Sequence, residues 1–187
     1  MRGPAGKCGR ATMNDSSAKH AAAVASAPLK LEEFLPYRLN VVASLTSQAL
    51  SRIYADRYGI GVPEWRVLVT LGQHGMMTGK AIGEHSHMHK TKVSRAVAFL
   101  EKRKLLQRRT NRADLRESFL SLTPNGLAIY LDLAPIALDF ARRLGEVIEP
   151  ADRAAFDRSV DRLTERSAQL AAEITNGTLK DKKLTSP

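Results

Sequence analysis

The chain has 187 residues, 43% of them hydrophobic and 26% charged, with 29 Lys and Arg against 19 Asp and Glu for a net charge of +10. This length suits one ordinary domain and is too short for two large ones. A single cysteine, Cys8, excludes an intrachain disulfide and a multi-cysteine metal site. No run approaches the roughly eighteen apolar residues of a membrane-spanning helix, and so positive a balance favours anionic partners. Aromatics make up only 5%, which points to an aliphatic, mainly helical core.

Residues 1–29 are rich in Ala, Gly, Ser and Lys without apolar periodicity and read as a disordered arm. Met13 is a second candidate start. The run Ala21–Ala27 has no Leu, Ile or Phe and is too short for a signal peptide, so a cytoplasmic location is expected. A folded unit over residues 30–174 follows, with a compact core at about 62–123, and residues 175–187 read as a flexible tail.

The first long helix is expected from about Leu31 to Tyr58, its regular part starting near Pro36. Leu35, Leu39, Val42, Thr46, Ala49 and Ile53 form one apolar stripe. Gly59 and Gly61 end it, and Pro63 opens a second helix over Pro63–His74. Residues 72–78 read as a break. Thr78 then caps a short third helix, Gly79–His85, and a fourth runs from about His89 to Lys104. Two short apolar-alternating runs, Leu106–Thr110 and Ser118–Leu122, flank a charged stretch and predict a β-hairpin. Thr123 and Pro124 open a helix whose seam runs from Leu127 to Ile148, with Pro135 inside it. Pro150 opens the last, in which Phe156, Val160, Leu163, Ser167, Leu170 and Ile174 alternate steps of four and three. The compact middle is too small to cover the stripes of three long helices. A second copy of the chain is the simplest cover, an intramolecular bundle the alternative.

Residues 90–116 hold ten Lys or Arg against Glu101 and Asp114, or +8 in 27 residues. Charge this concentrated fits an electrostatic footprint on double-stranded DNA. On the fourth helix, Val93, Val97 and Leu100 share a core-facing arc, while Thr91, Ser94, Arg95, Ala98 and Lys102 lie opposite. Short side chains allow close approach to the major groove, and Arg95 is the candidate guanine reader. The third helix completes a helix-turn-helix. Lys90, Lys92 and Lys102 suit phosphates, and Arg112 joins them among the candidate DNA contacts. Arg116 at the hairpin tip suits a narrow minor groove, with Asp114 orienting it or serving only as a turn residue.

These residues resemble the MarR family of winged-helix regulators. The likeness lies in Val62–Leu68, in Thr91–Val97 with Leu100-Glu101, and above all in Asp114-Leu115-Arg116 followed by Leu122–Gly126. It spans about residues 31–172. It departs from the family at Lys104, where a glycine is usual, and at a histidine run after the third helix; both departures bear on local turn geometry. The resemblance implies a mainly α fold with a small β-wing, a winged helix-turn-helix flanked by long dimerisation helices, acting as a homodimeric repressor on a pseudo-palindromic operator. Within the family, Leu35–Ser44 resembles regulators of aromatic-compound catabolism. That implies an effector such as a small aromatic acid or an aromatic acyl-CoA, p-coumaroyl-CoA for example. The effector crevice such regulators use suggests Arg38, Asn40, Ser44, Trp65 and Arg66 as its lining. Trp65 would wall an aromatic ring and an arginine would meet a carboxylate or phosphate, though core packing explains Trp65 as well.

Other signals are weaker. His85, His87 and His89 alternate, with His74 upstream, but only Glu84 accompanies them, so capping or phosphate contact outranks zinc. Nothing near Cys8 lowers its pKa toward a reactive thiolate. Gly75–Ala81 fails as a phosphate loop in both spacing and its final residue. No acid/base pair or nucleophile arrangement appears, so no enzyme, cofactor or metal is expected. The rival reading is an architectural or nonspecific nucleic-acid-binding protein without an effector. A basic helical protein on acidic membrane ranks third.

Overall fold

The computed structural model describes residues 29–110 and 118–177. The expected tail beyond residue 177, nearly all of the expected arm, and the wing tip with Arg112, Asp114 and Arg116 lie outside the described residues. In chain order the structure holds α1 (Leu35–Tyr58), α2 (Val62–His74), β1 (Met77–Thr78), α3 (Gly79–Ser86), α4 (Lys90–Lys102), β2 (Leu106–Thr110), β3 (Ser118–Leu122), α5 (Pro124–Gly145) and α6 (Arg153–Thr175). This is the expected mainly α class with a small antiparallel sheet. The chain divides between Arg52 and Ile53 into two compact units.

In the first unit, α1 starts at Leu35 and not near Leu31. Pro36 has no N–H to donate and is tolerated only in a first turn, so the helix begins one residue before it. Lys30–Phe34 form a turn instead, with Lys30 paired to Glu33 at 3.0 Å. Leu35, Tyr37, Leu39, Val42 and Leu45 are all exposed.

The second unit carries the core. Tyr54, in the last turns of α1, is buried and stacks on Trp65 of α2 with ring centroids 5.4 Å apart. The buried core also includes Ile60, Val67, Leu68 and Leu71, Ile82 of α3, Val93, Ala96, Val97 and Leu100 of α4, and Leu120 of β3. Burying such side chains contributes about 1.5–3 kcal/mol each before entropy is counted. The capping chemistry is local. The Gly61 N–H donates to the Glu64 carboxylate at 2.9 Å, and Thr78 Oγ1 accepts from the Ala81 N–H at 3.2 Å.

The sheet has the order β1-β3-β2, antiparallel throughout. The hairpin has the expected limits, with Leu106 opposite Leu122 and Thr110 opposite Ser118. β1 falls in the stretch read as a break. Its two residues pair as Met77 with Leu120 and Thr78 with Phe119, and no two-residue strand displays an alternation that a sequence can reveal. Lys104, where a glycine is usual in the resembling family, has φ +57. The left-handed turn is therefore kept without glycine, its N–H donating to the Glu101 carbonyl at 2.9 Å.

Thr123 fastens α5 to this unit. Its hydroxyl accepts from the Gly126 N–H at 3.2 Å and donates to the Lys104 carbonyl at 2.8 Å. A Cβ on Gly126 would run into the Leu105 carbonyl, so glycine is required there. Pro135 is accommodated inside α5. α5 ends at Gly145, short of Ile148, and α6 begins at Arg153, not at Pro150. α6 has no buried residue.

Candidate nucleic-acid interface

α4 is the centre of the candidate site. His89 caps its start, with Nδ1 accepting the Thr91 N–H at 3.3 Å. This gives one of the clustered histidines a structural task. Val93, Ala96, Val97 and Leu100 are buried, which pins one face. Lys90, Thr91, Lys92, Ser94, Arg95 and Lys102 are all exposed. The buried and exposed arcs expected from the helical periodicity are both present, with Ala96 an added core residue. Among the described residues, no carboxylate lies within ion-pair distance of Lys90, Lys92, Arg95 or Lys102.

Two of the ten basic residues are spoken for inside the fold, which a charge count cannot reveal. Arg108 of β2 makes a two-pronged contact with Glu101 of α4, Nε to Oε1 and Nη2 to Oε2, both at 3.0 Å. Glu101 also holds the Arg108 guanidinium more firmly protonated, chiefly through that hydrogen bond. Arg103 lies over the Phe99 ring at 5.5 Å and donates to the Tyr58 carbonyl at 2.5 Å.

The proposed ligand residues fall in different places. Arg38, Asn40 and Ser44 are exposed on the first unit's stretch of α1. Trp65 is buried against Tyr54, the core-packing role weighed for it. Trp65 and Arg66 do line one small cavity of about 300 Å3 together with Thr70, Gln73 and His85. Arg66 is exposed and leans toward the Ser86 carbonyl at 3.4 Å. A larger cavity of about 740 Å3 opens between α3, α4 and the hairpin. Val93, Val97 and Leu120 give it apolar walls, while Lys80, Lys90 and Arg108 supply cations. The sequence does not reveal it because its walls come from three separate elements whose packing alone brings them to one opening.

The histidine run does not converge. His85 instead meets His74 of α2, ring centroids 4.2 Å apart, and His87 ends α3 at φ +51. Among the described residues, no group of three His, Cys, Asp or Glu is arranged to hold a metal ion. None of the described helices is long and apolar enough to cross a membrane.

Residues 60–118 match the model of the MarR family. Comparison with curated protein sequences gives no match. Solved structures resemble the fold over most of the chain. A MarR/EmrR family transcriptional regulator from Acinetobacter sp. ADP1 has a TM-score of 0.69 at 23% identity, over 75% of this chain and 99% of that one. A MarR family regulator from Silicibacter pomeroyi has 0.61 at 25% identity, over 72% and 90%. BpsR of Bordetella bronchiseptica, whose DNA binding is regulated by 6-hydroxynicotinic acid, has 0.58 at 20% identity, over 68% and 98%.

Proposed function

We propose, from the premise that this chain carries a MarR-family domain at residues 60–118 within a MarR-type winged-helix fold, that it is a sequence-specific DNA-binding repressor. Members of that family are transcriptional regulators and not enzymes. The observation that carries the proposal is the division of α4 into a buried apolar arc and an exposed, small-then-cationic arc. In this reading Thr91, Ser94 and Arg95 face base edges, while Lys90, Lys92 and Lys102 hold phosphates. Arg112 and Arg116 reach the flanking backbone and minor groove, with Asp114 orienting Arg116.

The repressor acts as a homodimer. Leu131 and Leu138 of α5 and Phe156, Val160 and Ile174 of α6 are each at least two-fifths exposed. Stripes this apolar at coiled-coil spacing favour a second copy of the same chain as their cover. The effector is a small aromatic acid or its acyl-CoA, p-coumaroyl-CoA being the first to try. BpsR, with its aromatic acid, supports that chemistry by likeness of fold. The cavity of about 740 Å3 beside α4 has room for a ring and, with Arg108 held by Glu101, leaves Lys80 and Lys90 for a carboxylate. Trp65 and Arg66 at the smaller cavity are the second place to look, and Arg38, Asn40 and Ser44 of the first unit are tested separately.

Fluorescence anisotropy tests the reading. A duplex from upstream of the protein's own gene, or one selected from a random pool, is titrated near physiological salt against scrambled competitor. Tight binding that survives the competitor and is released by p-coumaroyl-CoA but not by p-coumarate supports repressor and effector together. Specific binding indifferent to both compounds keeps the regulator and discards the p-coumaroyl-CoA assignment. Binding abolished by the competitor on every duplex selected favours an architectural protein.

A further inference from the structure

Three elements of the second unit meet at one polar junction. Arg103 is the residue on which α4 ends, and its Nη1 donates to the Tyr58 carbonyl at 2.5 Å and reaches the Gly59 carbonyl at 3.5 Å. These are carbonyls at the C-terminal end of α1, where the helix dipole and unpaired acceptors favour a cation. Gly59 itself turns the chain at φ +59. The Tyr58 hydroxyl, on the same residue, donates to Asp132 of α5 at 2.8 Å, and Arg57 pairs with the same carboxylate oxygen at 3.1 Å. The end of α4 is thus tied through Tyr58 to α5. Phe99, one turn before Arg103, supports the guanidinium from below.

We infer that Arg103 and Tyr58 are positioning residues that fix the C-terminal end of α4, and that Arg103 serves DNA recognition through Tyr58 and not as a phosphate contact. The inference rests on the DNA-binding reading only for its second half. The first half concerns the free protein. The geometry argues against a phosphate role because the guanidinium is already turned onto backbone carbonyls. A basic residue in a basic segment looks like a phosphate ligand by composition, and its place at the junction gives it a different task. Its other end matters equally: the Tyr58 hydroxyl already donates its proton to Asp132 at 2.8 Å, so removing it acts on recognition through the junction.

Two measurements on the full chain test this, using Arg103→Ala, Tyr58→Phe and the double variant. The first is amide hydrogen exchange of α4 in the free protein. Both single variants should speed exchange in its last turn by about threefold or more, with the first turn unchanged. The second is affinity for the selected duplex and for a scrambled one, across a salt series at a temperature where each variant is fully folded. Each single variant should cut the ratio of the two affinities by about five- to tenfold while leaving the salt slope as it was, because no phosphate contact is lost. The double variant should lose little more than either single one. Unchanged exchange in the last turn would overturn the positioning role. An equal loss on both duplexes with a slope shallower by about one would make Arg103 a phosphate ligand. If the wild type fails to discriminate any duplex, the regulator reading fails, and the exchange result still decides the junction.

Discussion

α4 and α6 are both amphipathic helices of the second unit, yet they end differently. α4 buries Val93, Ala96, Val97 and Leu100, whereas α6, ten residues longer, buries none. The apolar arc of α4 finds α2, α3 and the hairpin within its own chain. That of α6 leaves Phe156 at 48% and Ile174 at 52% exposed. Periodicity therefore announces that a face wants cover but not where the cover is. A face covered from within belongs to the fold. Under the homodimer proposal, the face left open belongs to an assembly whose energy depends on protein concentration.

The largest effect should come from breaking the covered face. Leu100→Ala removes a fully buried side chain from the junction of α4 with the core and should cost about 2–5 kcal/mol in urea unfolding. Ile174→Ala on α6, measured in dilute protein, should stay within about 0.5 kcal/mol. Equal losses would erase the distinction between the two helices. Next comes the open face itself. Phe156→Asp should leave the thermal midpoint of dilute protein nearly unmoved but weaken self-association by about 2 kcal/mol or more. Sedimentation velocity reads this as a dimer becoming a monomer, and a variant that still sediments as a dimer would move the interface off α6.

The exposed arc of α4 gives the third prediction. Arg95→Ala should weaken binding to the selected duplex by about 1–3 kcal/mol and relax preference at one base position, read by competition with single-base variants. Uniform loss on every sequence would make Arg95 a phosphate ligand. The smallest effect lies at the junction between the C-terminal end of α4 and the end of α1. The hydrogen bond to Asp132 pushes the Tyr58 phenol above its ordinary range. A group whose pKa is raised by folding contributes stability that is complete below its unfolded value, near 10 for tyrosine. That contribution is lost as pH rises past the folded value. Tyr58→Phe should therefore flatten a small alkaline step in the plot of thermal midpoint against pH, and a step that persists in the variant would belong to another group.

Much of the fold follows from local rules. Pro36 and Pro63 mark helix starts, Thr78 and Thr123 cap α3 and α5, and the limits of β2 and β3 show in the alternation around a charged tip. The arcs of α4 were likewise fixed by the angle between successive residues. These are properties of neighbours in the chain, so the sequence alone determined them. It also determined the concentration of charge in residues 90–116.

Tertiary structure decided the rest, because it depends on which distant residues meet. β1 exists only because β3 offers it an edge. Arg103 and Arg108 count as free cations in the sequence, but one caps α1 and the other is held by Glu101. Trp65 is a core residue because Tyr54 lies on it, and His85 leaves its histidine run to meet His74. The cavity beside α4 draws its walls from α3, α4 and the hairpin, which are separated in the chain by turns of unrelated composition. A chain's local chemistry says what each segment can present. Only packing, which brings segments together against the entropy of the open chain, says to what it is presented.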